Sequence, residues 1–302
     1  MRWKFFAGLA FLFFTLLLLV FYWFIPYGVL EFSLGPVNSN FSLNSSATTQ
    51  VQFYPNMRFP SPKISYSIGD CPLKKRQDAQ IAFETLENLT ILDFNQIPSS
   101  GDIIVKCQSE NRIKEDFFIA GEGGPTNVTQ AGEFNVILNG MILLIRESSC
   151  PNPNIAIHEI LHSLGFEHSE NSNNIMYPVS KCKQTIGQDT IDIINELYSV
   201  ESLPDLAFES ASAVMRGKYL DLNFSIRNQG LQASPSFEII VYGDQELIKK
   251  IEAENLDIGY GTQISLQNIW VKQISVKEIK LIINSLDELD KENNKISLEI
   301  KE

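Results

Sequence analysis

The order of hydrophobic and polar residues divides the chain into three parts. An uninterrupted apolar run, Phe5–Ile25, contains 21 residues and no charged side chain. Between about residue 51 and residue 202, short apolar runs typical of strands mix with apolar residues at helical spacing. From about residue 203 onward apolar and polar residues alternate, as in Leu220–Ile226, which is typical of half-buried strands. The pattern therefore predicts an apolar N-terminal helix, a mixed domain and an all-β domain.

The apolar run is long enough to cross a bilayer as a helix. Arg2 and Lys4 precede it and the first acidic residue is Glu31, a charge order that places the following chain outside the cytoplasm. A cleaved signal peptide is the alternative, although Tyr27–Leu30 offers no small-x-small cleavage site. We predict a cytoplasmic start and a transmembrane signal-anchor over residues 1–30, and secretion if this segment is cleaved.

Composition and pattern also predict the limits of a stalk and of two domains after the apolar run. Residues 31–50 are rich in Ser, Asn and Thr and predict a flexible stalk. Residues 51–202 predict an α+β domain, with a loop at Glu122–Pro125 and a two-residue hairpin turn at Asn139-Gly140. Residues 203–302 predict a sandwich of antiparallel strands.

Cysteines and sequons agree with export from the cytoplasm. The chain has four cysteines and five Asn-x-Ser/Thr sequons. Four cysteines allow three disulfide connectivities, and free buried thiols are a further alternative. Proximity in sequence favours Cys71–Cys107 and Cys150–Cys182. The net charge of −12 argues against a nucleic-acid partner, because nucleic-acid-binding surfaces need clustered positive charge.

All three histidines of the chain fall within eleven residues. His158 and His162 are four residues apart, so on a helix they face the same side and can bind one ion. Gly165 can adopt a positive φ, which ends the helix and lets His168 approach from another direction. Three imidazole ligands leave the fourth zinc position open for water, the arrangement of a catalytic site. We therefore predict one zinc ion held by these three histidines.

Two further residues complete the predicted site. Glu159 is adjacent to the first ligand and points elsewhere, so it can accept a proton from a zinc-activated water and return it to the leaving amine. Met176 follows the third histidine by eight residues and could give the site an apolar floor. This set of residues predicts hydrolysis of peptide bonds with Glu159 as the general base.

The long histidine motif followed by Asn174-Ile175-Met176-Tyr177-Pro178 resembles the metzincin metallopeptidases, most closely their matrixin branch. The resemblance covers about residues 51–202 and implies a zincin-type mixed sheet with helices. It also implies that Phe134–Leu138 is the edge strand that pairs with an extended substrate, through Phe134, Asn135 and Val136. Pro178 and Val179 would begin the wall of the pocket for the substrate residue after the scissile bond.

The chain departs from the matrixin pattern in several places. Ser180 stands where matrixins commonly carry a tyrosine, and no histidine remains for a second, structural zinc. A calcium ion could use Asp116 or Glu122, although two acidic residues in a loop are more often simply solvated.

Three motifs of the last hundred residues resemble the CARDB-type, immunoglobulin-like domains of prokaryotic surface proteins. They are Pro204-Asp205-Leu206, Phe224–Gly230 and Asp290–Asn294. The resemblance implies a sandwich used for spacing or adhesion, with a cell-surface ligand as its partner.

Together these features predict a membrane-anchored, extracellular zinc-dependent endopeptidase that acts on protein or peptide substrates. The alternative is a cell-surface adhesion or scaffolding protein that binds through its C-terminal sandwich and carries an inactive zinc site. A zinc peptidase whose third ligand is a downstream Glu is disfavoured, because His168 already fills that role.

Overall fold

The computed structural model describes residues 2–23, 29–34, 51–109, 112–114, 117–148, 150–272 and 276–300. Helix α1 spans Arg2–Trp23, and Trp3, Phe6 and Phe11 are among its exposed apolar side chains. Over the residues that the structure describes, no helix is long and apolar enough to cross a membrane. Two further units are a helix–sheet domain over residues 51–202 and a β domain formed mostly by residues from 203 onward.

The described residues of the helix–sheet domain form a six-stranded mixed sheet, three helices and a separate pair of strands. The strands of the sheet are β2 (Met57–Arg58), β3 (Lys63–Ile68), β4 (Asp93–Gln96), β5 (Ile103–Cys107), β8 (Gly121–Ala131) and β9 (Phe134–Leu144). The pair is β6 (Arg112–Lys114) and β7 (Phe117–Ile119), and the helices are α2 (Leu73–Leu89), α3 (Asn154–Ser163) and α4 (Gln188–Ser199). Strands β2-β9-β5-β3-β4 are parallel neighbours in that order, and β8 pairs antiparallel with β9. The predicted mixed sheet with helices is confirmed.

Helix α2 covers one face of this sheet with a buried apolar stripe. Ala79, Ala82, Phe83 and Leu86 recur at helical spacing and are at most 1% exposed. The Phe83 ring stacks on Tyr66 of β3 with centroids 3.9 Å apart. Because such a stripe seats a helix on a sheet, the spacing in the sequence accounts for this layer of the core.

The four cysteines are joined as Cys71–Cys107 and Cys150–Cys182, the pairing that proximity in sequence favours. The first disulfide links the segment before α2 to the end of β5. The second links the segment before α3 to the loop between Met176 and α4. Both ends of the second link therefore lie next to the histidine motif in sequence.

Two local predictions in the helix–sheet domain are wrong. Asn139-Gly140 is not a hairpin turn, because it lies inside the continuous strand β9, which pairs with both β5 and β8. Glu122–Pro125 is not a loop but part of β8. The turn of the hairpin is at Gly132-Glu133. Glycine inside a strand marks close approach of another element, and a Cβ on Gly140 would lie 3.2 Å from the Ser163 Cβ of α3.

The β domain is an antiparallel sheet that encloses one apolar core. Its strands from the C-terminal part of the chain are β10 (Leu206–Arg216), β11 (Tyr219–Asn228), β12 (Phe237–Gly243), β13 (Glu246–Ala253), β14 (Gly261–Trp270), β15 (Glu278–Asn284) and β16 (Lys295–Ile300). The alternation predicted for Leu220–Ile226 is confirmed, since Leu220, Leu222, Phe224 and Ile226 are buried.

An eighth strand of this sheet comes from the N-terminal part of the chain. Strand β1 (Val29–Leu34) lies between β10 and β16, antiparallel to both, and completes the described order β13-β12-β15-β16-β1-β10-β11-β14. The prediction of a stalk is therefore wrong for residues 31–34, and residues 35–50 lie outside the described part. The Phe32 side chain is 3% exposed and belongs to the core of the β domain. Its burial explains why residues 31–34 join the sheet although the sequence around them is rich in polar residues.

A small apolar cluster joins the two domains. Ala131, Phe134 and Val136 of the β8–β9 hairpin pack with Leu231 of the β domain, and all four are at most 1% exposed. Leu289 of the β domain is partly buried against the same cluster. One face of the hairpin is therefore covered by the β domain.

The position of β1 yields a stability prediction. Phe32→Ala should lower the free energy of unfolding of the β domain by about 3 kcal/mol, because it removes a buried aromatic side chain from a packed core. Chemical denaturation of the full chain, followed by circular dichroism, measures this change. Glu31→Gln, at an exposed position of the same strand, is the matched control and should change the free energy by less than about 0.5 kcal/mol. Equal effects of the two substitutions would contradict the placement of β1.

Candidate active site

Helix α3 places two histidines on one side of the helix–sheet domain. Its buried stripe includes Ile157, Ile160 and Leu161, which seats the helix on the core. His158 and His162 are one turn apart, and their ring centroids are 4.5 Å apart. The helical geometry predicted for the histidine motif is thus present.

The third histidine arrives after a turn at Gly165. Helix α3 ends at Ser163, and Gly165 has φ of +95°, the left-handed conformation expected from the sequence. A Cβ at Gly165 would lie 2.7 Å from the Met57 Cβ, so the position also lacks space for a side chain. The chain then turns back, and His168 approaches the other two imidazoles from outside the helix.

The three imidazoles converge through their Nε2 atoms. His162 Nε2 lies 3.0 Å from His158 Nε2 and 3.1 Å from His168 Nε2. His158 Nδ1 donates to the carbonyl of Ile175 and His162 Nδ1 to the carbonyl of Phe166, both at 2.7 Å. Since each Nδ1 carries the proton in these bonds, the lone pair of each Nε2 points towards the shared centre.

This arrangement suits a metal ion. The three ligand atoms lie within 4.8 Å of one another, and this is the one such group of His, Cys, Asp and Glu among the described residues. Burial and, to a smaller extent, the charge of His168 lower the pKa of His158, and burial together with the two neighbouring imidazoles lowers that of His162 to about 4. Neutral imidazoles with converging nitrogens are the donor set of a three-histidine zinc site.

Glu159 is buried between helix α3 and strand β8. It is 5% exposed, and a Cβ at Gly121 would lie 2.6 Å from its Oε1 atom. A Cβ at Gly123 would lie 2.4 Å from the Glu159 backbone oxygen. Burial raises the pKa of Glu159 to about 8, with a smaller contribution from the charge of Glu122. The two glycines of β8 thus allow this strand to pass directly over the residue between the histidines.

Strand β8, and not β9, is a free edge of the sheet on the side of helix α3. Among the described strands, β8 pairs with β9 alone, whereas Asn135 and Val136 of β9 pair with both β2 and β8. Phe134 and Val136 are also buried against the β domain. The prediction that Phe134–Leu138 is the edge strand, with Phe134, Asn135 and Val136 in contact with substrate, is therefore wrong. The glycines Gly121, Gly123 and Gly124 make this segment resemble a loop in the sequence, and the strand is evident only from its pairing with β9.

The segment around Met176 is attached to the histidines through its backbone. The Ile175 carbonyl accepts the bond from His158, and the Met176 carbonyl accepts a bond from the Ser169 amide at 2.9 Å. The Met176 side chain is 2% exposed and belongs to the core. Its role as an apolar floor beneath the imidazoles stays a prediction.

The sequence analysis missed an aromatic neighbour of the site. The Phe53 ring stacks on His162 with centroids 5.8 Å apart and an interplanar angle of 23°. The Phe53 amide donates to the Gly165 carbonyl at 2.9 Å, so the start of the domain is fixed along the turn that follows α3. Nothing in the local pattern around residue 53 connects it to a motif more than a hundred residues away.

The remaining predicted residues are those of the substrate pocket and of the calcium site. Val179 is 39% exposed, and its carbonyl accepts a bond from Gln184 Nε2 at 3.0 Å. A pocket wall at Pro178 and Val179 stays a prediction. Glu122 lies on β8 near Glu159, and Asp116 is outside the described residues, so a calcium ion at these two residues stays a prediction as well.

Comparison with known families agrees with this geometry. Residues 61–199 match the family model described as Matrixin, and residues 203–298 match the model described as CARDB. The two resemblances predicted from the sequence are therefore confirmed for these two segments. No curated protein matches the chain. The matrixin match supports a zinc metallopeptidase.

The contact between β8 and α3 can be tested with neighbouring glycines. Gly123→Ala should lower the free energy of unfolding by about 1–3 kcal/mol, because its Cβ would overlap the backbone of Glu159. Gly124→Ala is the matched control, since a Cβ at Gly124 has nothing within 4 Å. Denaturant unfolding of both variants measures the difference. An equal effect of the two substitutions would rule out the close contact.

Proposed function

We propose that the chain is a zinc-dependent endopeptidase in which His158, His162 and His168 bind the metal. The observation that carries this proposal is the convergence of three Nε2 atoms, two of them oriented by Nδ1 bonds to backbone carbonyls. The matrixin match of the same segment supports it. The substrates would be proteins or peptides.

Each residue of the site has a distinct task in this proposal. Zinc, when bound, acidifies a water molecule and polarises the carbonyl of the scissile peptide bond. The Glu159 carboxylate accepts the proton of the attacking water and then delivers it to the leaving amine. Its ionised form would be favoured by a cation in the histidine site. Burial of Glu159 against Gly121 and Gly123 limits its movement and thereby keeps its position relative to the imidazoles.

The free edge of β8 is the proposed binding surface for the substrate backbone. An extended peptide can add a strand to an exposed sheet edge through main-chain hydrogen bonds. Strand β8 offers such an edge next to Glu159, and its glycines expose the backbone there. Substrates should therefore be unfolded or loop segments, because a folded helix or paired strand cannot form these bonds.

Substitution of Glu159 tests the proposed activity. Glu159→Ala should reduce the rate of peptide cleavage by at least about 100-fold, because general-base catalysis contributes about 10² to 10⁴. Digestion of a peptide library read by mass spectrometry measures cleavage, and elemental analysis should find zinc retained. Glu170→Ala, an exposed residue just beyond the triad, is the control and should leave cleavage unchanged. A zinc-loaded parent that cleaves no peptide would instead favour the binding role of the C-terminal domain.

We further propose, from the sequence alone, that the apolar run Phe5–Ile25 anchors the protein in a membrane, with both domains extracellular. The support is the uncharged apolar run Phe5–Ile25 and the basic residues that precede it. Only five residues separate Trp23 from Val29, the first residue of β1. Since six peptide units span at most about 20 Å, the β domain would lie next to the membrane.

Charge substitution tests the anchor. The full chain should remain in the membrane pellet after carbonate extraction, whereas the double variant Leu16→Arg/Leu17→Arg should move to the soluble fraction. Each arginine at the centre of a span costs about 2.5–3.5 kcal/mol by insertion scales. Mass spectrometry of the N-terminus separates an anchor from a cleaved signal. Full-length parent protein in the soluble fraction, with its N-terminus intact, would exclude the anchor.

A further inference from the structure

The three motifs that resemble CARDB domains meet at one end of the β domain. Asn228 Oδ1 accepts hydrogen bonds from the amides of Asp205 at 3.1 Å and Gly230 at 3.0 Å. Asn293 Nδ2 donates to Asp205 Oδ1 at 2.8 Å. We call the oxygen-rich group at this place the junction cluster. It consists of Asp205, Glu288, Asp290, Asn293 and Asn294.

The junction cluster concentrates buried negative charge. Asp205, Glu288 and Asp290 are each at most 9% exposed. Burial raises the pKa of Asp205 to about 6, and the charges of Glu288 and Asp290 act in the same direction. Lys291, the basic residue of the loop, is exposed; its ammonium donates to the Leu286 carbonyl, and its charge offsets only part of the rise that burial causes in the pKa of Glu288. Buried carboxylates of like charge need protons, a paired cation or a metal ion.

A second observation concerns hydrogen bonds that are missing. The buried side-chain polar atoms without a hydrogen-bond partner in the described part of the chain all belong to residues 285–294. Two of them are the Oδ1 atoms of Asn293 and Asn294, whose side chains are 5% and 4% exposed. Their Nδ2 atoms are fixed because they donate to the carboxylates of Asp205 and Glu288. Each amide oxygen is therefore held beside a buried carboxylate with no donor to satisfy it.

We propose that the junction cluster binds a divalent cation, with calcium as the best match. Calcium prefers carboxylate, asparagine and backbone oxygens and tolerates irregular geometry. Outside the histidine triad, no group of three His, Cys, Asp or Glu side chains in the described residues is arranged to hold a metal ion. The ion would therefore use at most two carboxylates in the present geometry and complete its shell with asparagine and backbone oxygens. This proposal is independent of the peptidase activity.

Calcium binding would also stiffen the connection between the domains. The Leu289 amide, inside the same loop, donates to the Pro204 carbonyl at 3.0 Å. Pro204 lies two residues after the end of the helix–sheet domain, and Leu289 packs on the apolar cluster between the domains. An ion that orders this loop would therefore fix both the Pro204 segment and the packing of Leu289 on the apolar cluster.

Calcium titration of the chelator-treated, zinc-reloaded full chain tests the proposal. Isothermal titration calorimetry should detect one calcium ion with Kd of about 10⁻⁴ to 10⁻³ M, the range of extracellular modules. Asp290→Asn should weaken binding by at least tenfold, because it removes one charge without changing the side-chain volume. Asp287→Asn, an exposed acid of the same loop, is the matched control and should leave Kd within twofold. Glu159→Ala should bind calcium as the parent does.

The outcomes are separable. If Asp290→Asn does not fold, the thermal unfolding of the parent tests the proposal instead, since calcium should raise the midpoint of that transition. The proposal would be overturned if a folded parent, at calcium tenfold above the expected Kd range, showed neither heat of binding nor a shift of this midpoint. Equal affinity of Asp290→Asn and Asp287→Asn would overturn it as well, because calcium would then bind elsewhere.

Discussion

The central constraint on this protein is the close approach of three imidazole Nε2 atoms. Those of His158 and His168 each lie about 3 Å from that of His162, and the lone pairs face one another. Such lone pairs repel unless a proton or a cation lies between them, so the surrounding fold must hold the rings in place. Helix α3 supplies the spacing of two rings, and Gly165 supplies the turn for the third. The carbonyls of Ile175 and Phe166 fix the orientation of the first two rings. These supports come from three separate segments, and the Cys150–Cys182 disulfide links the chain on either side of them.

The position and burial of Glu159 depend on a different contact, the close packing of α3 against strand β8. Two glycines of β8 face the residue, one against its carboxyl group and one against its backbone. The same absence of side chains leaves the main chain of the edge strand accessible. A single local feature, glycine in an edge strand, therefore both buries the general base and exposes the surface on which a substrate could pair.

Local patterns in the sequence account for the features that depend on neighbouring residues. Histidine spacing on one helix, a glycine at a left-handed turn and alternation along Leu220–Ile226 are all set within a few residues, and each could be predicted. Strand β8 could not, because its Gly-, Thr- and Asn-rich sequence resembles a loop and becomes a strand only by pairing with β9. Strand β1 is a similar case, since its partners β10 and β16 lie more than 170 residues away. The prediction that β9 contains the edge strand was wrong for the same reason. Local sequence reveals neither the strands that pair with β9 nor the β domain that packs against it.

The placement of β1 changes how the two domains relate to each other. The chain enters the β domain at β1, leaves it to form the helix–sheet domain, and returns at Pro204-Asp205. The helix–sheet domain is therefore an insertion between two adjacent strands of the β domain, connected at both of its ends. Two connections and the apolar cluster around Phe134 restrict its rotation more than a single linker would. It follows that the β8–β9 hairpin, which carries the β8 edge, packs directly on the β domain, and that the junction cluster lies where the chain returns to that domain.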